Sequence, residues 1–187
     1  MSIDLAGLIR RRKPQGHPQQ LQPRPVAELV AAASLATAPR LQLVPDTCVY
    51  IDVAEGRLPV DAEDLLDRSL QWHCAVCLGE LAAGLGRILW RAAEWKRIRR
   101  YYVDLFASIP DSRVLVPDDD MWAEAGMIAG ILKRTQGYQA DQHRKCLNDS
   151  LVFVTAAAYA LPVLTKNRID FDLIQQLAGR GQFVHYT

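Results

Sequence analysis

This sequence predicts an α/β fold: a three-layer α/β/α sandwich with a central, mostly parallel sheet. Three observations carry that prediction. Short apolar runs of about four to six residues alternate with longer segments of helical periodicity, the pattern of strands joined by helical crossovers. Hydrophobic residues make up 50% and charged residues 23% of the 187, enough apolar material for one domain with a substantial core. Four carboxylates, Asp46, Glu80, Asp149 and Asp170, stand at or near the ends of predicted elements, where α/β proteins place functional groups.

The chain divides at about residue 40. Residues 1–40 carry five Arg and one Lys against Asp4 and Glu28, a net +4, which leaves −3 on the rest. This extension is rich in Pro and Gln between Arg10 and Pro25 and reads as partly disordered, with a short helical turn over Ile3–Arg12 and a short helix over Val26–Ala38. Residues 41–187 form the folded domain.

Within the domain, Leu41–Val44 reads as a buried strand that Pro45 stops just before Asp46 emerges. Thr47 sits at the turn, and Val49–Ile51 begins the next helix. Ala62–Leu70 is helical by the spacing of Leu65, Leu66 and Leu70; Trp72–Val76 is a strand; Cys77–Leu89 is a helix with Glu80 in its first turns. Trp90–Phe106 is a helix that Pro110 interrupts, and Arg113–Val116 is a strand stopped by Pro117. One of Asp118, Asp119 and Asp120 caps the helix over Met121–Lys133. His143–Ala160 is an apolar helix with Asn148 and Asp149 on its polar side. Pro162–Thr165 is a strand, Asp170–Leu177 a helix and Gln182–Tyr186 an edge strand.

Several function classes are unsupported. Cys48, Cys74, Cys77 and Cys146 make no metal signature, and the single CxxC lies in an apolar run, so burial is the reading for these thiols. The first residues lack the charge order of a signal peptide, and no apolar run spans a membrane; a cytoplasmic protein is expected. Neither a nucleophile elbow nor a Gly-rich phosphate loop is present.

The carboxylates offer a different chemistry. In a parallel sheet the carboxyl ends of the strands share one edge, so Asp46, Glu80 and Asp170 can converge there, and Asp149 joins them if its helix crosses that edge. Convergent carboxylates repel and raise one another's proton affinity unless a divalent cation neutralises them, and an oxygen-rich site suits magnesium or manganese. Such a site activates water against a phosphodiester. Thr47, Thr165 and Asn167 are placed to hold a carboxylate, a ligand water or a phosphate oxygen. Glu80 and Asp149 also read as solvated helix residues, and Asp170 as the cap of the helix from Phe171.

Four segments carry a resemblance: Val44–Asp52, Cys77–Gly84, Leu147–Val152 and Leu164–Phe171. In this order they resemble the PIN-domain family, and within it the VapC-type toxins of bacterial toxin–antitoxin systems. The resemblance implies a PIN-like α/β/α domain and a Mg2+- or Mn2+-dependent endoribonuclease whose acidic site is Asp46, Glu80, Asp149 and Asp170. It also implies a homodimer and a cognate antitoxin as partner. Asp172 stands close enough to Asp170 to be an alternative fourth ligand. The sequence departs from the family pattern at His73–Cys74 and in its long leader. For RNA, Arg91, Lys96, Arg97 and Arg100, with Arg144 and Lys145, are the candidate phosphate contacts; the first four also read as a solvated helix face.

Overall fold

A computed structural model of the chain describes residues 3–17, 20–37, 40–89, 91 and 93–187. The leader opens with α1 (Leu5–Arg12), whose N-cap Asp4 accepts a hydrogen bond from Gly7 N at 2.8 Å. The domain follows as β1 (Gln42–Pro45), α2 (Thr47–Ala54), α3 (Val60–Arg68), β2 (Leu70–Gln71), β3 (His73–Cys74), α4 (Ala75–Arg87), α5 (Trp95–Ser108), β4 (Val114–Leu115), α6 (Asp119–Gln136), α7 (Ala140–Ala158), β5 (Val163–Thr165), α8 (Arg168–Ala178) and β6 (Phe183–His185).

The main sheet has the order β2-β1-β5-β6 with every pair parallel, and β3 and β4 form a second parallel pair. Side chains alternate across a strand, and the core obeys that period. Val44, Val163 and Phe183 point into one apolar layer, with α4, α6, α7 and α8 packed on it. Leu43, Leu164 and Val184 point into the other, against α2 and α3. The result is the expected three-layer sandwich.

Several boundaries differ from the sequence reading, each for a physical reason. Pro45 does not end β1: Val44 N and Asp46 N donate to β5, at Pro162 O and Leu164 O, both at 2.9 Å. The missing Pro N–H therefore falls on the opposite side, past the end of the β2 pairing. The strand expected over Trp72–Val76 is two short pieces on either side of Trp72, because α4 starts at Ala75. The helix expected over Trp90–Phe106 is found over Trp95–Ser108; Trp90 and Ala92 lie outside the described residues. A 3-10 turn at Asp111–Arg113 shortens the third expected strand to Val114–Leu115. Asp118 is the aspartate that caps α6, accepting from Met121 N at 2.8 Å.

The leader is docked over its described length. Arg12 reaches Glu124 on α6 and donates to Leu177 O on α8, and Arg134 donates to His17 O at 2.9 Å. The helix expected over Val26–Ala38 is replaced by two 3-10 turns, because Leu29 and Ala31 are extended between them. Val30 O accepts from His185 N at 2.9 Å and Ala31 bridges His185 in parallel, extending the sheet beyond β6. Tertiary pairing here overrides helical composition; Ala38 lies outside the described residues. No helix among the described residues is long and apolar enough to cross a membrane.

Candidate functional site

Because β1 and β5 are adjacent and parallel, their carboxyl ends open side by side, and the site begins there. Asp46 leaves β1 with extended backbone and is the N-cap of α2, its Oδ1 accepting from Thr47 N at 2.7 Å. Its Oδ2 accepts from Thr165 Oγ1 at 2.7 Å and from the Cys48 thiol at 3.1 Å. Thr165 is fully buried at the end of β5, and its hydroxyl is oriented by accepting from Asn167 N at 3.0 Å. Burial and the neighbouring Asp46 charge push the Cys48 thiol up to about 12, so it stays a donor.

Glu80, in the second turn of α4, accepts from Asn148 Nδ2 at 2.8 Å and from the Thr47 hydroxyl at 2.5 Å. Asp149 follows on α7 and is buried at the same cavity, so of its two sequence readings the solvated helix face does not hold; it accepts from Asn167 Nδ2 at 2.9 Å. The same amide nitrogen donates to Asp170 Oδ2 at 2.8 Å, and Tyr138 donates to Asp170 Oδ1 at 2.8 Å. Asp170 lies inside the first turn of α8, while Asn167 occupies the N-cap position and turns its side chain to the two carboxylates instead of capping the helix.

These groups surround a cavity of about 670 Å³ lined by Asp46, Thr47, Glu80, Asn148, Asp149 and Asn167, with Arg87, Asp141, Arg144 and Lys145 around it. Asp170 is not on its lining and meets it through Asn167. Burial raises the Asp149 carboxyl well above the usual carboxylate range, and the charges of Asp46, Asp170 and Glu80 push the same way against Lys145. Burial likewise raises Asp46, with Glu80 adding to it, and the hydrogen bonds from Thr165, Cys48 and Thr47 act in opposition.

The donor set fits a divalent cation in chemistry but not in spacing. Buried, mutually repelling carboxylate oxygens are what magnesium or manganese neutralises. Yet among the described residues no group of three or more His, Cys, Asp or Glu is placed to hold a metal ion. Neutral donors hold the carboxylates: Thr165 and Cys48 on Asp46, Thr47 and Asn148 on Glu80, Asn167 on both Asp149 and Asp170, and Tyr138 on Asp170.

Not all the candidate residues meet here. Asp172 is fully buried but faces the leader, where Arg24 N and Nε donate to it at 2.8 and 2.6 Å. Of the candidate phosphate contacts, Arg144 and Lys145 border the cavity, and Lys145 Nζ lies 3.8 Å from Asp170. Arg97 instead borders a separate groove with Tyr101 and Tyr102, and it pairs with Glu94 at 3.9 Å. Arg100 pairs with Asp104 at 3.7 Å. Arg91 and Lys96 are exposed away from the cavity lining. Sequence reasoning passed over Asn148, Cys48 and Tyr138. Asn148 and Cys48 sit one and two residues from site carboxylates, a signal that could have found them; Tyr138 arrives from a loop and gives none.

No protein-family model matches the sequence, and no curated protein matches it. Solved structures do match. VapBC2 from Rickettsia felis, bound to a DNA fragment from its promoter, is similar at 14% identity over 79% of this chain and 100% of that one, with a TM-score of 0.53. The fold is PIN-like. VapBC-1 from nontypeable Haemophilus influenzae is similar at 20% identity over 76% of this PIN-like chain and 96% of its own, with a TM-score of 0.51. FitAcB from Neisseria gonorrhoeae is similar at 19% over 77% and 96%, also with a TM-score of 0.51. At these identities the likeness is one of fold.

Proposed function

We propose that this chain is an RNA-acting PIN-like module whose acidic cavity is its working site, and that it hydrolyses RNA phosphodiester bonds as a Mg2+- or Mn2+-dependent endoribonuclease. One observation supports this reading above the others: Asp46 and Asp149 are buried beside Glu80 on one cavity, pushed toward their protonated forms, with neutral groups making their hydrogen bonds. A divalent cation bound there would neutralise the carboxylates, activate a water and offset charge developing at phosphorus.

The chain's own residues prepare that site. Thr165 and Cys48 fix Asp46, Thr47 and Asn148 fix Glu80, and Asn167 ties Asp149 to Asp170, so no carboxylate is free to turn away. Exposed Arg87, Arg144 and Lys145 border the opening and meet the phosphates of an incoming strand. The likeness to the VapBC and FitAB structures supports a cognate antitoxin as partner; the role of toxin half and the homodimer rest on the motif resemblance alone.

As the side chains stand, their spacing favours a second reading: a PIN-like module that binds RNA or a protein without cleaving. No three metal-ligating side chains among the described residues are gathered for a cation. Titrating Mg2+ or Mn2+ into purified protein with labelled RNA separates the two. Cleavage that EDTA stops and that Asp46→Asn with Asp149→Asn removes supports the nuclease. Saturable RNA binding without cleavage leaves the second reading, and cleavage undiminished in the double variant contradicts the assignment to this cavity.

A further inference from the structure

We infer that the groove containing Trp122 is a stacking site for one unpaired nucleobase of a single-stranded RNA whose phosphates lie over the acidic cavity. This rests on the RNA reading above and adds a recognition element to it. The groove has a volume of about 420 Å³, within the range of sites that take a small ligand. It lies directly beside the cavity: Glu80, Ala83 and Asn148 line both, and the hydrogen bond from Asn148 to Glu80 forms the ridge between them.

The two depressions divide their chemistry as a nucleotide does. The cavity side carries the exposed cations Arg87, Arg144 and Lys145, which complement a phosphate, beside the carboxylates Asp46, Glu80, Asp141 and Asp149. Apart from Glu80 and Asn148 on the ridge, the groove is apolar. Trp122, in the first turn of α6, is 50% exposed, and Val116, just after β4, is 65% exposed. The opposite wall is α4, where Gly79 leaves open space above the helix backbone. An indole held half in water beside a polyanion-binding edge is the arrangement on which bases stack without hydrogen-bond readout. Bases inside an A-form duplex are already stacked and cannot enter, so the occupant is single-stranded.

The test is fluorescence anisotropy of a labelled, unstructured RNA oligonucleotide at low salt in EDTA, so that cleavage does not intervene. Trp122 is a surface side chain, so Trp122→Ala should fold, which circular dichroism checks. We expect Trp122→Ala to weaken binding by about five- to 100-fold, the range of one base–aromatic stack. Trp122→Phe should stay within about threefold of wild type, since a smaller aromatic face remains. Binding of an RNA duplex should not change. Wild-type affinity in Trp122→Ala, with loss in Arg144→Ala plus Lys145→Ala, overturns the stacking site and leaves the RNA reading standing. No measurable RNA binding by wild type, either in EDTA or with Mn2+ present, overturns both. Full RNA binding by Trp122→Ala with lost self-association or lost protein-partner binding makes the groove a protein interface and overturns the inference.

Discussion

Asp172 and Asp149 are buried carboxylates on the consecutive helices α8 and α7, yet one faces a guanidinium and the other faces more carboxylates. Arg24 Nε lies 2.6 Å from Asp172. Glu124 is held between Arg12 and Arg180 at 2.5 and 2.6 Å, and Asp52 between Arg57 and Lys166 at 3.1 and 3.2 Å. Asp149 and Asp46 instead take hydrogen bonds from an amide, a hydroxyl, a thiol and a backbone N–H. Burying a charge is costly unless it is paired, so the first group is neutralised within the fold. The second group has no ion-pair partner of this kind and borders an open cavity, so burial and the neighbouring carboxylates push both carboxyls toward their protonated forms.

Breaking the comparison at the cavity should have the largest effect. Asp46→Asn with Asp149→Asn should lower metal-dependent RNA cleavage by about 100-fold or more, as single-turnover rates would show. Breaking it at the leader should cost stability: Arg24→Ala strands a buried Asp172. A fully buried broken pair costs about 3–5 kcal/mol. Arg24 is 36% exposed, so solvent screening reduces this to about 2–3 kcal/mol. A fall of about 5–10 °C in Tm by calorimetry is the expected outcome.

Asp46 and Asp149 should also respond to pH with the opposite sign to Asp52. Burial raises the folded-state pKa of Asp46 and Asp149. Their contribution to stability is complete below the unfolded value of about 3.9 and is lost as pH rises through the folded values. Asp52 behaves in reverse. Burial opposes its ionisation, but hydrogen bonds from Lys166, Tyr186 and Arg57 hold it below the usual range, so its contribution is lost as pH falls through the folded value. Urea midpoints of metal-free Asp149→Asn should therefore fall less than those of wild type as pH rises above about 4, whereas Asp52→Asn should blunt the loss on acidification. The smallest effect is expected from Tyr138→Phe, which removes one of two donors to Asp170; cleavage should change by less than about tenfold, about the worth of one hydrogen bond.

Much of this arrangement is legible in the residues. Asp46 beyond a short apolar strand, Glu80 early in a helix and Asp149 within an apolar one are local patterns, and a parallel sheet gathers them on one edge. What is not legible depends on partners far along the chain. Arg12 and Arg24 sit in a Pro- and Gln-rich stretch that looks unanchored until Glu124 and Asp172, 112 and 148 residues away, receive them. Asp170 and Asp172 are alike on paper, and only the rotation of α8 sends one toward Asn167 and the other toward the leader. The basic run before and within α5 reads either as a solvated helix face or as an RNA surface; the fold turns Arg97 and Arg100 to their own acidic neighbours and leaves Arg144 and Lys145 at the cavity.

The most direct measurement compares thermal unfolding of wild type and Asp149→Asn at pH 7, each with EDTA and with saturating Mn2+. If the cavity keeps its charge for a cation, Asp149→Asn has the higher Tm in EDTA, because a neutral amide replaces a buried, repelled carboxylate. Mn2+ then raises the Tm of wild type but not of the variant. A lower Tm for Asp149→Asn in EDTA, together with an equal or absent response to Mn2+ in both proteins, would contradict the account.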